Sequence, residues 1–235
     1  MQKEEVMKLL ETLGSEQTKK TFLRHGAKEP FFGVKVGDMK PIQKKIKKDY
    51  SLSLALFASG NGDAQYFAGL IADETKMTKK DLDSWVNNAG WQMISEHTVA
   101  WIAAESKHGW ELALEWIESK NMQVASSGWA TLANLVAIQP DEMLDIKKVE
   151  ALMKVVAKKI HTSTNRVKYT MNGFIISTGC YVAALSDTAK KIAKEIGVVT
   201  VNVGDTDCKV PDATAYINKV IAMGKLGKKR KEARG

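Results

Sequence analysis

Tryptophan is the residue type in this chain whose clustering most readily suggests chemistry. All six tryptophans lie between positions 85 and 129, and the rest of the 235-residue chain has none. Indole rings stack on nucleic-acid bases and attract cationic groups, and they also fill protein cores. The cluster is therefore typical either of a base-stacking site or of an aromatic core.

Sequence context separates the six tryptophans into two groups. Four of them lie in apolar helical segments, and we interpret them as core residues: Trp85, Trp101, Trp110 and Trp116. Trp91 and Trp129 each follow a glycine, in "AGWQMIS" and "SSGWATL". We therefore predict that these two side chains lie at helix starts, where residues of the first turn can face an opening between helices.

Basic residues are the second feature with chemical potential. The formal net charge is +8, but residues 225–235 hold six basic residues against Glu232, which leaves a modest charge on the rest of the chain. Residues 35–48 carry six lysines against Asp38. Such a cluster is typical of a solvated helix face or of a surface that binds DNA phosphates. The residues expected to contact DNA are Lys35, Lys40, Lys44, Lys45, Arg166 and Lys168.

The remaining reactive residues form no recognisable cofactor or metal motif. Cys180 and Cys208 lack CxxC spacing and are too few for a disulfide framework, so we predict two buried free thiols, no metal and no cofactor. Acidic residues in the segment 204–212 are typical of caps for a helix that begins near Pro211.

No apolar run is long enough to cross a membrane, and the N-terminus lacks a signal-peptide pattern, so we expect a cytoplasmic protein.

The elements that must position these residues are helices. Apolar residues recur at spacings of three and four along nearly the whole chain, and the separators between helical segments are short. Short connections make neighbouring helices antiparallel, so we predict an all-α fold, an α-α superhelix of HEAT-like antiparallel helical pairs. An irregular helical bundle is the alternative. We predict a single HEAT-like domain over residues 1–224 and a flexible basic tail over 225–235. The segment 197–217 is predicted to be an ordered loop that leads into the last helix near Pro211.

Four segments carry a resemblance to a known family: "FGVKVGDMKPIQKKIK" at 32–47, "DAQYFAGLIAD" at 63–73, the stretch around "GWQMIS", and "GDTDCKVPDATAYI". Together they resemble the DNA alkylation-repair family, DNA glycosylases built of HEAT-like helical repeats. The resemblance implies binding to double-stranded DNA. It also implies that a carboxylate near the sugar stabilises the cation that develops as an alkylated purine leaves, while tryptophans add cation–π attraction.

The family's catalytic motif is only partly present. In the family, a tryptophan is followed four residues later by the catalytic aspartate; by this resemblance Trp91 is that tryptophan, and Ser95 stands where the aspartate would be. Trp129 lies where a second motif would begin, but no arginine follows it. Glu96 is adjacent to Ser95, and a helical rotation of about 100° would turn it away from the face that Trp91 and Ser95 share. Trp91, Ser95, Glu96 and Trp129 are thus candidates, and no catalytic residue is assigned.

Three functions are compatible with the sequence. The first is a DNA-binding protein of the alkylation-repair kind whose base excision is weak, altered or absent, because serine supplies no negative charge. The second is an active alkylpurine glycosylase with a substitute carboxylate. The third is a non-enzymatic scaffold whose concave face binds a protein partner, which the modest charge of the body favours. We expect a monomer that does not bind membranes.

Overall fold

The protein is described from a computed structural model, in which residues 1–234 are defined. These residues form helices and no strand. The α-helices in chain order are Lys3–Leu13 (α1), Glu16–Arg24 (α2), Val36–Ile46 (α3), Tyr50–Phe57 (α4), Gly62–Ile71 (α5), Lys79–Asn88 (α6), Ala100–Glu105 (α7), Gly109–Trp116 (α8), Met122–Ile138 (α9), Ile146–Lys159 (α10), Asn165–Tyr181 (α11), Ser186–Ile196 (α12) and Ala213–Ala222 (α13). A π-helical segment, Ile94–Val99, leads directly into α7.

Polar residues at the helix starts explain why many of these helices begin where they do. The side chains of Ser15, Asp49 and Asn61 accept backbone hydrogen bonds from the first turns of α2, α4 and α5. Thr78 begins a capping box at α6, and Asp212 caps α13. Such caps satisfy N–H groups that have no partner inside the helix. The interpretation of Asp212 as a capping residue is therefore confirmed.

The first of two compact units contains α1 to α7. It comprises Met1–His108, Val203–Asp207 and Arg234. Helix α5 is buried along its whole length and packs against α3, α4 and the π-helical segment. A β-carbon on Gly69 of α5 would lie 2.4 Å from Cγ2 of Thr98. Glycine therefore lets the π-helical segment approach α5 closely.

The second compact unit contains α8 to α13. It comprises Gly109–Asn202 and Cys208–Ala233. Helices α9 and α11 form its most extensive contact, and α8 packs on α9. A β-carbon on Gly128 of α9 would lie 2.8 Å from the backbone nitrogen of Ile117, which follows α8. A side chain at this position would thus separate the two helices.

The predicted all-α fold is confirmed, since consecutive helices such as α4 with α5 and α8 with α9 pack as pairs. The single domain over residues 1–224 stays a prediction. No helix among residues 1–234 is both long and apolar enough to cross a membrane.

The basic C-terminal segment does not extend away from the helices. Lys229 Nζ donates a hydrogen bond to the carbonyl oxygen of Val136 over 2.9 Å. The backbone N–H of Arg230 donates to the carbonyl oxygen of Ala137 over 2.9 Å. Ala233 is fully buried. These contacts do not support a flexible tail at Lys229 and Arg230, because the side chains of both residues and the backbone of Arg230 have partners. The flexibility of the rest of the predicted tail stays a prediction.

In the segment 197–217, predicted to be an ordered loop, residues 197–212 contain neither helix nor strand, and α13 begins at Ala213. The side-chain amide of Asn165 donates to the carbonyl oxygen of Asn202 over 2.7 Å, and the side-chain oxygen of Asn165 accepts from the N–H of Asn202 over 2.7 Å. Asn172 of α11 donates to the carbonyl oxygen of Pro211 over 2.9 Å. Side-chain amides of α11 thus hold the loop at Asn202 and at Pro211, as expected for an ordered segment.

Candidate functional site around Trp91

Trp91 lies immediately before the helical residues that lead into the π-helical segment, as predicted. Its carbonyl oxygen accepts hydrogen bonds from the N–H groups of Ile94 and Ser95, at 2.9 and 3.1 Å. The half-buried indole packs on Phe22 of α2, with ring centroids 5.5 Å apart and planes inclined by 40°. The ring is therefore held against α2 and does not project freely into solvent.

Two glutamine side chains hold the backbone on either side of Trp91. Oε1 of Gln65, a buried residue of α5, accepts a hydrogen bond from the N–H of Gly90 over 2.9 Å. On the other side, the amide of Gln92 donates to the carbonyl oxygen of His25 at the end of α2. The turn that carries the indole is thus attached to two helices.

A small apolar cavity lies beside the indole. Its volume is about 10 Å³, which is close to the space that one water molecule needs. The lining includes the side chains of Phe22, Phe31, Tyr66, Met93 and Ile94. Enzymes that act on a base take it out of the stack into a fitting pocket. In this conformation the cavity is far too small for a purine.

Asp63 also lines this cavity, and the sequence did not single it out. Its carboxylate accepts hydrogen bonds from the N–H groups of Phe32, Gly33 and Val34, at 2.5, 2.9 and 3.0 Å. Burial raises the pKa of this carboxyl, although the three hydrogen bonds and the charge of Lys19 act in the opposite direction. Asp63 thus fastens the preceding loop to the start of α5, and both of its oxygens are engaged in doing so.

Ser95 and Glu96 lie in the π-helical segment and are buried, with 0% and 4% of their surface exposed. Ser95 Oγ lies 3.5 Å from the carbonyl oxygen of Gln92. A serine hydroxyl carries no charge, so the position that corresponds to the family's catalytic aspartate provides none. That Glu96 points away from Trp91 stays a prediction.

Trp129 lies in the middle of α9, and only 2% of its surface is exposed. Its ring packs against Phe174 of α11, with centroids 5.5 Å apart. This corrects the prediction that Trp129 stands at a helix start facing an opening. The preceding Gly128 is required for the close approach of α9 to Ile117, and a glycine of that kind has the same sequence pattern as one that marks a helix boundary.

The other tryptophans are mainly structural. Those that are buried, as predicted, are Trp85, Trp101 and Trp116. Trp85 stacks on Phe57 with ring centroids 4.2 Å apart and planes nearly parallel. Trp110 is half-buried, and its indole N–H donates to Oε1 of Gln139 over 2.8 Å. The tryptophans of each unit are therefore largely packed among its own residues, whereas Trp91 of the first unit is half-buried.

The residues expected to contact DNA belong to both units. The exposed lysines on α3 and at its N-cap are Lys35, Lys40, Lys44 and Lys45. The buried side of the same helix carries Met39 and Ile42. Arg166 and Lys168 are half-buried in the first turn of α11, where the Arg166 guanidinium lies 4.4 Å from the centre of the Tyr169 ring. Their contact with DNA stays a prediction.

Among residues 1–234, no developed site for thiol or metal chemistry is present. Neither cysteine forms a disulfide; Cys180 is buried, as predicted, and burial raises its pKa to about 11, whereas Cys208 is exposed, which corrects the prediction that it is buried. Within residues 1–234, no group of three or more histidine, cysteine, aspartate or glutamate side chains is arranged to hold a metal ion.

Comparison with solved structures defines the class of protein. One solved chain superposes with a TM-score of 0.91 at 38% sequence identity, and the match covers 98% of both chains. It is described as "a new family of proteins related to the HEAT-like repeat DNA glycosylases with affinity for branched DNA structures". The fold is thus that of a HEAT-like repeat protein related to DNA glycosylases.

Sequence comparison gives the family. The sequence model of the DNA alkylation repair enzymes matches residues 6–194, and the chain belongs to this family. Two uncharacterized proteins, one from Listeria monocytogenes and one from Listeria innocua, are 35% and 34% identical to it over 216 residues. Each match covers 89% of this chain and 93% of the relative.

Proposed function

We propose that this protein binds DNA, with preference for branched structures, and has little or no base-excision activity. The proposal rests on one observation, that the site at Trp91 has neither a charge at position 95 nor space for a base. Ser95 supplies no negative charge, and the adjacent cavity holds about 10 Å³. A glycosylase needs both a pocket for the extruded base and charge near the sugar.

The available carboxylates support the same conclusion. Asp63 lines the cavity, but its oxygens are held by three backbone N–H groups. Removing one such bond would leave a buried donor without a partner, which costs about 1–3 kcal/mol. Asp63 is therefore suited to a structural role and unsuited to stabilising a developing sugar cation.

Exposed basic residues support the DNA-binding part of the proposal. The lysines of α3 lie on the exposed surface, where contact with phosphates releases condensed counterions and drives association. The structurally similar relative has affinity for branched DNA, and its similarity to this chain extends over nearly the whole length. The same class of ligand is proposed here.

Binding is tested by fluorescence anisotropy with a labelled four-way junction and a linear duplex of matched length, at several salt concentrations. We expect tighter binding of the junction, with affinity for both DNAs falling steeply as salt rises. Lys40→Ala/Lys44→Ala should weaken both, and Lys8→Ala, which removes an exposed lysine of α1, serves as the control. Equal affinity for junction and duplex would contradict the proposed preference for branched DNA. Absence of binding to either DNA at low salt would contradict the proposed DNA binding itself.

Base excision is tested by chromatography of purines released from methylated DNA. We expect no release above the rate without protein. Ser95→Asp should not create activity, since the carboxylate would enter a buried position beside a cavity of only about 10 Å³. Release by the natural sequence that disappears in Glu96→Gln would identify an active glycosylase with a substitute carboxylate and overturn this part of the proposal.

A further inference from the structure

Helix α3 ends in an unusual backbone conformation. Lys47, its C-cap residue, has φ 64° and ψ −118°. Among residues 1–234 it is the only non-glycine residue with a positive φ. Glycine adopts such dihedral angles without steric conflict, whereas a β-carbon makes them strained. The side chain of Lys47 therefore occupies a position that suits glycine.

The connection from α3 to α4 requires this conformation. The N–H of Lys47 donates to the carbonyl oxygen of Gln43 over 2.7 Å, which closes α3. Two residues later, the N–H of Asp49 donates to the carbonyl oxygen of Ile71 over 2.8 Å, and the Asp49 carboxylate caps α4 by accepting from Leu52. Because both ends are held by hydrogen bonds, the short connection turns through a positive φ. The backbone thus accounts for the conformation but not for the lysine.

No contact inside the protein accounts for the lysine either. The Lys47 side chain is exposed, and it has no ion-pair or hydrogen-bonding partner within residues 1–234. Its neighbour Lys48 differs, since Lys48 Nζ binds both carboxylate oxygens of Glu74 at 2.5 and 2.7 Å. A strained residue without internal partners indicates a role outside the folded chain.

The position of Lys47 continues a row of free lysines. Lys44 precedes it by three residues and Lys40 by seven, so the three α-carbons lie along one edge of α3 over about 10 Å. Lys40 and Lys44 are also exposed and have no partner among residues 1–234. Phosphates of one strand recur about every 3.4 Å along the axis of duplex DNA, so a row parallel to that axis would extend over about three phosphate steps.

We infer that Lys47 contacts the DNA phosphate backbone together with Lys40 and Lys44, with which it forms one basic edge of α3. We also infer that the strained lysine at this position lowers the stability of the protein. The inference rests on the proposed DNA binding and adds a residue that charge clustering alone did not select. Because phosphate contacts carry no sequence information, the edge would strengthen binding to any sequence.

Glycine and alanine substitutions separate strain from charge. Lys47→Gly removes both, so we expect the melting temperature to rise by about 2–4 °C while affinity for the junction falls about three- to tenfold. The slope of log affinity against log salt should decrease by about one. Lys47→Ala keeps the β-carbon, and should lose the same affinity without the rise in melting temperature. Lys8→Ala removes an exposed charge from α1 and is the matched control.

Two results would overturn the inference while leaving DNA binding intact. One is a stabilised Lys47→Gly variant whose affinity and salt slope equal those of the natural sequence or of Lys8→Ala. The other is reduced affinity without any gain in melting temperature, which would show that the lysine is not strained. Failure of the natural sequence to bind either DNA would instead refute the proposed function, and the inference with it.

Discussion

Oε1 of Gln65 accepts a hydrogen bond from the backbone N–H of Gly90 over 2.9 Å, while its Nε2 donates to the carbonyl oxygen of Asn88 over 2.7 Å. One buried side chain thus satisfies both a donor and an acceptor in the turn before Trp91. Two bonds from the same amide fix that turn relative to α5, and with it the start of the segment that carries the indole and Ser95.

Gln65→Leu should therefore destabilise the protein by about 1–3 kcal/mol, since the carbonyl group of Asn88 and the half-buried N–H of Gly90 lose their hydrogen bonds to a buried side chain. The measurement is urea denaturation followed by far-UV circular dichroism. Gln17→Leu, at an exposed position of α2, is the control and should change stability by less than about 0.5 kcal/mol. Similar stabilities for the two variants would contradict the proposed attachment.

Asp63→Asn should destabilise the protein by about 2 kcal/mol at pH 7. The amide has one accepting oxygen and one donating nitrogen, so it cannot accept from Phe32, Gly33 and Val34 as the carboxylate does. Denaturation midpoints of the variant and the natural sequence provide the comparison. Asp38→Asn, at an exposed position of α3, should change stability only slightly.

The difference in stability between the natural sequence and Asp63→Asn should depend on pH, because burial raises the pKa of Asp63. Its folded pKa lies above the unfolded value of 3.8, so the protonated carboxyl is favoured by folding. The stability that this shift contributes is fully present below pH 3.8 and is lost as pH rises through the folded pKa. The advantage of the natural sequence over Asp63→Asn should thus be smaller at about pH 7 than at about pH 4. An advantage that grows with pH would contradict this sign.

Arg234 should stabilise the first unit strongly. Its side chain is 10% exposed, and it donates to Glu105 Oε2 over 2.7 Å, to Glu74, and to the carbonyl oxygen of Ala72 over 2.9 Å. Arg234→Met would leave two largely buried carboxylates without this cation, at a cost of about 3 kcal/mol. Lys231→Met, at an exposed position, should have little effect in the same denaturation assay. Equal losses of stability in Arg234→Met and Lys231→Met would show that stability depends on the net charge and not on the contacts of Arg234.

Two helical glycines of the second unit should respond in opposite directions to alanine. Gly128→Ala should destabilise by about 2 kcal/mol, because its β-carbon would meet the backbone nitrogen of Ile117 at 2.8 Å. A β-carbon on Gly173, inside α11, would meet no neighbouring atom within 4 Å, so Gly173→Ala should stabilise by about 0.5–1 kcal/mol. Thermal denaturation of both variants tests the pair, and destabilisation by Gly173→Ala would be the contrary result.

Local features of the chain were well predicted. Asp212 caps the last helix, and this could be predicted because a cap depends on neighbours three residues away. The core positions of Trp85 and Trp116 follow from their apolar helix faces. The boundary at Trp91 was also correct, since a glycine and a change of pattern mark it in the sequence.

Non-local features were missed or misinterpreted. Asp63 bonds to residues about 30 positions earlier, and Arg234 bonds to Glu105, 129 positions earlier. Neither pairing has a sequence period. The glycine before Trp129 was interpreted as a boundary, although it serves the packing of two helices.

The sequence by itself determined the helical fold, its caps, the family resemblance and the serine at position 95, because each depends on residue type or short spacing. Only the tertiary structure decided that the cavity beside Trp91 is nearly filled, that Trp129 is inaccessible, and that the basic C-terminal segment is packed. Cavity volume, burial and the partner of a charge all depend on residues that are far apart in the chain and adjacent only after folding.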